Sequence, residues 1–91
     1  MTAEREVRIV NERGLHARAA AKFTALAEEF DAEISVSNGR EAVGGRSIMG
    51  LLLLAVAKGT TITVSAAGND ADAALDAVCG LVSDGFGEDR D

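Results

Sequence analysis

The feature that most constrains this chain is how often its apolar period switches between two and about 3.6 within 91 residues. Over Glu4 to Val10, Val7 and Ile9 alternate with Glu6 and Arg8, the period-two mark of a strand with one buried face. From Ala17 to Glu29 the spacing becomes helical, with Phe23, Leu26, Ala27 and Phe30 as the stripe and alanines filling the first turns. Ala32, Ile34 and Val36 then alternate with Glu33, Ser35 and Ser37. Asn38-Gly39 is a hairpin signal, and Glu41 to Gly44 supplies a short returning strand. Ser47 offers a hydroxyl cap to an apolar helix over residues 48–56, with Gly59 as the stop of that helix or of its following loop. Thr61 to Ala66 is a strand with Ile62, Val64 and Ala66 inward. Asn69 caps a last helix whose stripe is Ala71, Ala74, Leu75, Val78 and Leu81. The acidic tail from Gly85 to Asp91 is expected to fray.

Each short strand has one polar face, so the strands are expected to pair antiparallel and to hide their apolar faces under the helices. The predicted fold is α+β: an open-faced sandwich, a four-stranded antiparallel sheet covered on one face by three helices, in the order βαββαβα. A chain of 91 residues points to a single domain over 1–91.

Charge and composition exclude several function classes. The net charge of −6 argues against nucleic acid as a partner, because a basic footprint is absent. The charge is uneven: residues 1–50 carry 7 basic and 8 acidic groups, whereas 51–91 carry 2 basic and 7 acidic. The longest apolar stretch, 48–57, has ten residues. A membrane span needs roughly 20, so no membrane insertion is expected. The charged start reads as no signal peptide. Cys79 is the single cysteine, which rules out an intrachain disulfide, fits a cytoplasmic location and reads as a core residue. No Cys, Asp or second His stands at ligand spacing around His16, so neither a metal nor a cofactor is expected.

His16 is the only histidine, and its position matters more than its type. Gly14-Leu15-His16-Ala17-Arg18 lies where a loop becomes a helix. The first N–H groups of a helix lack intrahelical partners and carry partial positive charge, which suits an anion. The backbone of Ala17 and Arg18 would cradle a phosphate, and the Arg18 guanidinium would grip its oxygens. Gly14 lets the chain turn sharply before them. A ring nitrogen with a bare lone pair at such a place can attack phosphorus, and the same donors would neutralise the transferring group.

Gly14-Leu15-His16-Ala17-Arg18, followed by Ala20-Ala21-Lys22-Phe23, resembles the active-site segment of HPr, the histidine phosphocarrier of the bacterial phosphotransferase system. Gly44-Gly45-Arg46-Ser47-Ile48-Met49-Gly50-Leu51 resembles the same family's regulatory segment. The spacing of His16 and Ser47 and the order of elements match too, and the resemblance covers residues 4–87. It implies that His16 accepts phosphate at Nδ1 from phospho-enzyme I, charged by phosphoenolpyruvate, and passes it to an EIIA-type protein, with Arg18 stabilising the phosphoryl group. It implies a covalent carrier, not an independent enzyme, acting as a monomer. It also implies regulatory phosphorylation of Ser47 by an HPr kinase/phosphorylase. Ala19 replaces the proline that usually follows the arginine, and the chain has no proline at all. Ala19, Lys22-Phe23 and the tail from Ser83 to Asp89 look more like the nitrogen-related branch of the family, NPr, than the sugar-transport branch.

Three further readings concern surfaces. The helix over 48–56 is apolar all round, and a short helix on an open sandwich cannot bury every side. Most of its leucines read as core, and the remainder would form an exposed docking patch beside His16; the resemblance points to Ile48 and Met49, with Leu52, as its members. Lys22 sits one turn beyond Arg18 and could steer acidic partners, while Arg46, which with Ile48, Met49 and Gly50 resembles the surroundings of the serine in substrates of the family's kinase, is a further docking candidate. The competing reading is a regulatory interaction domain that docks through this apolar helix, with His16 structural. A small-molecule-binding α+β domain is a further alternative, but the sequence offers it only one anion site.

Overall fold

The structure is a computed structural model and describes residues 2–88. The elements are β1 (Thr2–Arg8), α1 (Ala17–Ala27), β2 (Glu33–Ser37), β3 (Ala42–Gly44), α2 (Ile48–Leu53), β4 (Thr61–Ala67) and α3 (Ala71–Ser83), followed by a 3-10 turn over Gly85–Gly87. The order is the expected βαββαβα.

Alternation decides how the strands lie. Ile62, Val64 and Ala66 of β4 point to one face and are buried, and so are Ile34 and Val36 of β2 beside it. The sheet order is β1-β4-β2-β3, with every pairing antiparallel. The register sets Val7 opposite Ile62 and Val36 opposite Val64, so the apolar faces coincide. α3 packs across β1, β4 and β2 with Ala71, Ala74, Leu75, Val78, Cys79 and Val82 buried. α1 packs on α2 and α3, and α2 reaches β3. Arg5 shares the covered side of the edge strand β1, across from Val64, and its guanidinium escapes burial by pairing with Asp76 of α3 at 2.7 Å.

Four local expectations change. α1 buries Ala19, Ala20, Phe23, Thr24 and Ala27, so the stripe is turned away from Leu26 and Phe30, which are only half-buried. Thr24 is admitted because its hydroxyl donates to the Gly45 carbonyl at 3.2 Å. α2 stops at Leu53 rather than running to Val56. Ala55 takes φ 52, which reverses the chain and returns Val56 to the core at 5% exposure. Asn69 does not cap α3; the N-cap is Asp70, whose side chain makes no cap bond. Both residues are drawn instead to the loop after α1: Asn69 Nδ2 donates to Asp31 Oδ2 at 2.9 Å, and the Asp70 carboxylate accepts from the Asp31 amide at 2.8 Å.

The fourth change concerns the tail. Gly85 to Glu88 is folded, with Phe86 fully buried in the core. Burial of a large aromatic ring offsets part of the chain entropy of ordering so short a segment, and the hydrogen bonds from Lys22 and Asn11 add to it. Positions 89–91 lie outside the described residues.

Candidate functional site

The loop before α1 is shaped by a close backbone approach. Gly14 has φ +67, and a Cβ there would stand 2.4 Å from the Val56 carbonyl oxygen. That closeness lets the Leu15 amide donate to the same carbonyl at 3.0 Å, tying the loop to the segment after α2. Asn11, completely buried, donates Nδ2 to the Gly14 carbonyl at 2.8 Å and fixes the turn from inside.

His16 is delivered by this loop as the N-cap of α1, with an extended backbone (φ −87, ψ −178). Its Nδ1 accepts the Arg18 backbone N–H at 3.2 Å. An acceptor at Nδ1 carries a lone pair there, so the ring proton sits on Nε2. Nε2–H in turn donates to the Glu88 carboxylate, a short contact. The ring is thus clasped at both nitrogens, and its side chain keeps 20% of its surface exposed.

Glu88 comes from the far end of the sequence. Its second oxygen accepts from Asn11 Nδ2 at 2.9 Å, so one buried amide steadies both the loop and the carboxylate. Burial pushes the Glu88 carboxyl up, but the hydrogen bonds from Asn11 and His16, with the charge of Arg13, outweigh it and hold it below its usual range. The turn that presents Glu88 is held as well: Lys22 Nζ donates to the Phe86 carbonyl at 2.8 Å.

The predicted site residues separate into two groups. His16, Ala17, Arg18 and Lys22 share α1. Ala17 and Arg18 are its first two helical residues, and the Arg18 side chain is exposed and makes no ion pair among the described residues. Lys22 holds the C-terminal turn instead of projecting freely. The second group surrounds α2. Ser47 is its N-cap and accepts from the Gly50 amide at 3.0 Å while remaining exposed. Arg46 donates to the carbonyls of Phe30 and Ala32 at 3.1 and 3.3 Å, bracing the α1–β2 loop. Ile48 and Met49 are exposed at 41% and 67%, but Leu52 is half-buried against the core and Leu53, at 72%, takes the outward place. α1 packs directly on α2, which brings the two groups to adjoining helices.

Sequence reasoning missed Asn11, Glu88 and the ordered turn between them. The signal available was Gly85-Phe86-Gly87, an aromatic between two glycines in a stretch otherwise polar.

With this geometry in hand, comparisons with known proteins decide the family. A family model described as the PTS HPr component phosphorylation site matches residues 3–84. The chain belongs to the HPr family. HPr-family proteins are phosphocarriers of the phosphotransferase system, and that is this chain's functional class. It is 53% identical over 85 residues to the phosphocarrier protein NPr of Shewanella violacea, covering 93% of each chain. Identity to the phosphocarrier protein HPr of Cupriavidus necator is 41% over 85 residues, with 93% of this chain and 96% of that one covered. The higher identity to the NPr relative supports the NPr branch. Among solved structures, HPr-C-His from Thermoanaerobacter tengcongensis superposes with a TM-score of 0.91 at 38% identity, covering 96% of this chain and 98% of that one. The HPr-like open-faced sandwich is therefore this protein's fold. No helix among the described residues is long and apolar enough to cross a membrane.

Proposed function

We propose that His16 is the phosphoryl acceptor of this HPr-family chain. The single observation that carries the reading is the His16 ring at the N-cap of α1, its Nδ1 lone pair directed at the Arg18 N–H. In the transfer, Nδ1 forms the bond to phosphorus as the donor's bond breaks, and the donor atom keeps that electron pair. The Arg18 N–H, released from Nδ1, then meets a phosphoryl oxygen together with the Ala17 N–H. The exposed Arg18 guanidinium can close on the same oxygens with paired donors. By resemblance, the donor is phospho-enzyme I and the acceptor an EIIA-type protein. The protein acts as one cytoplasmic, monomeric domain that needs its partners for catalysis.

Incubation with enzyme I and phosphoenolpyruvate tests this. The expected product is an acid-labile phosphate that disappears in His16→Ala while the fold is kept. Labelling that persists in His16→Ala would refute the assignment. Loss of the fold in that variant would favour the competing reading, in which His16 is structural and the chain docks through the apolar helix.

Ser47 is the proposed regulatory site, modified by an HPr kinase/phosphorylase. Its hydroxyl is exposed at a helix N-terminus, where added phosphate is electrostatically tolerated and changes the charge of the docking face rather than the fold. Ile48 and Met49 beside it supply an adaptable apolar surface. Ser47→Asp is expected to slow phosphorylation of His16, and unchanged kinetics would remove the regulatory role.

A further inference from the structure

The Glu88–His16 contact requires long-range ordering. The two residues are 72 positions apart, and three separate anchors bring them together. The first is burial: Phe86 is completely enclosed, although its backbone sits at φ 57 between Gly85 at φ 66 and Gly87 at φ 73. A left-handed conformation is unfavourable for a bulky residue and persists only where the surroundings hold it. The second anchor is Lys22 Nζ on the Phe86 carbonyl at 2.8 Å. The third is Asn11 Nδ2 on Glu88 Oε1 at 2.9 Å, from an amide with no exposed surface. The carboxylate is therefore delivered to the ring by built structure.

From this geometry we infer that Glu88 is a positioning residue for His16: together with the Arg18 N–H at Nδ1, its carboxylate holds the imidazole in the Nε2–H tautomer, and it faces the positive charge the ring gains when Nδ1 is phosphorylated. The inference rests on the reading of His16 as the acceptor. The chemistry balances without any further reactant. The Nδ1 lone pair becomes the N–P bond, the donor leaves with the electrons of its own bond to phosphorus, and the Nε2 proton stays in place. The ring thus changes from a neutral to a cationic heterocycle, and an anion already hydrogen-bonded to Nε2 stabilises the product and the transition state leading to it. A carboxylate behind a histidine plays this orienting part in hydrolytic triads, without itself taking the proton. Glu88 is fit for the role because the bonds from Asn11 and His16 keep it ionised.

The test uses the full chain labelled with 15N-histidine, as wild type, Glu88→Gln and Glu88→Ala, with amide spectra to verify the fold. Two quantities are read: the His16 ring nitrogen shifts, which report the tautomer, and the rate of phosphoryl uptake from enzyme I and phosphoenolpyruvate. Wild type is expected to show a single Nε2–H tautomer. Glu88→Ala should move the Nε2 shift, because its hydrogen bond is lost while the Arg18 N–H still occupies Nδ1, and lower the uptake rate by about tenfold or more, the size of one lost charge-assisted hydrogen bond. Glu88→Gln should keep the tautomer, because its amide oxygen also accepts from Nε2–H, yet still slow uptake several-fold because the charge is gone. An Nδ1–H tautomer in wild type, or unchanged shifts and rate in Glu88→Ala, would overturn the inference. A wild-type rate in Glu88→Gln would overturn its electrostatic half. The ring shifts need no phosphate, so they judge the Glu88 contact even if wild type fails to take phosphate on His16, a result that would count against the carrier reading instead.

Discussion

Replacing Gly14 by alanine probes the join that sets the head of α1. Two separate costs are expected. The backbone at φ +67 is left-handed, which costs an L-residue about 1–2 kcal/mol. The new methyl group would also lie 2.4 Å from the Val56 oxygen and 3.0 Å from Ala57 Cα, both backbone atoms with little room to retreat. Overpacking of this kind adds about 1–3 kcal/mol. Gly14→Ala is thus expected to lose about 3 kcal/mol. Gly39→Ala provides the control, because Gly39 has φ +96 but nothing within 4 Å of the new atom. It should show the conformational cost alone, about 1–2 kcal/mol. Urea denaturation of the three proteins measures both, with a constant slope as the condition for comparing midpoints. The clash also forces apart Leu15 and Val56, which are hydrogen-bonded at 3.0 Å, so phosphoryl uptake should fall in Gly14→Ala and be spared in Gly39→Ala. If Gly14→Ala were no less stable than Gly39→Ala, the argument from backbone approach would be wrong.

Three other outcomes are expected. Phe86→Ala should cost about 3–5 kcal/mol in urea denaturation, because a completely buried ring is removed; a cost under about 1 kcal/mol would mean that the tail does not belong to the core. Glu88 has a folded-state pKa below its ordinary 4.5, so its contribution to stability is present above that value and is lost as pH falls through the lower folded value. The difference in urea midpoint between wild type and Glu88→Gln should therefore shrink on going from about pH 6 to about pH 3, and a difference independent of pH would contradict the ionised hydrogen bond. Ser47→Ala should lose about 1 kcal/mol and the exchange protection of the Gly50 amide, since the cap bond at 3.0 Å disappears; retained protection would show that α2 does not depend on its cap.

Half of the candidate site was legible in the sequence because helix capping is a local affair. His16, Ala17 and Arg18 are consecutive, and a loop glycine followed by an alanine-rich helical stretch is enough to put the histidine at the helix head. The other half is not local. Asn11 and Glu88 are 77 positions apart, and neither carries a pattern that announces the other. Lys22 and Arg46 show the same limit. Helical spacing made Lys22 a candidate for steering partners and resemblance made Arg46 a docking candidate, whereas their side chains reach backbone carbonyls 64 and 16 or 14 positions away.

The sequence by itself determined which elements form and in what order, and the buried face of the strands, because period two and period 3.6 are properties of neighbouring residues; the exact face of α1 was left to its packing. It also placed His16 at the start of α1. Tertiary structure decided where elements end and what completes the site. α2 stops at Leu53 because Val56 must turn inward, where its carbonyl meets Leu15. Asn69 leaves its capping role for Asp31 on another loop. The tail is ordered because Phe86 finds space in a core assembled from every other element. With Phe86 comes Glu88, and so the second hydrogen bond of His16 exists only once the chain has folded.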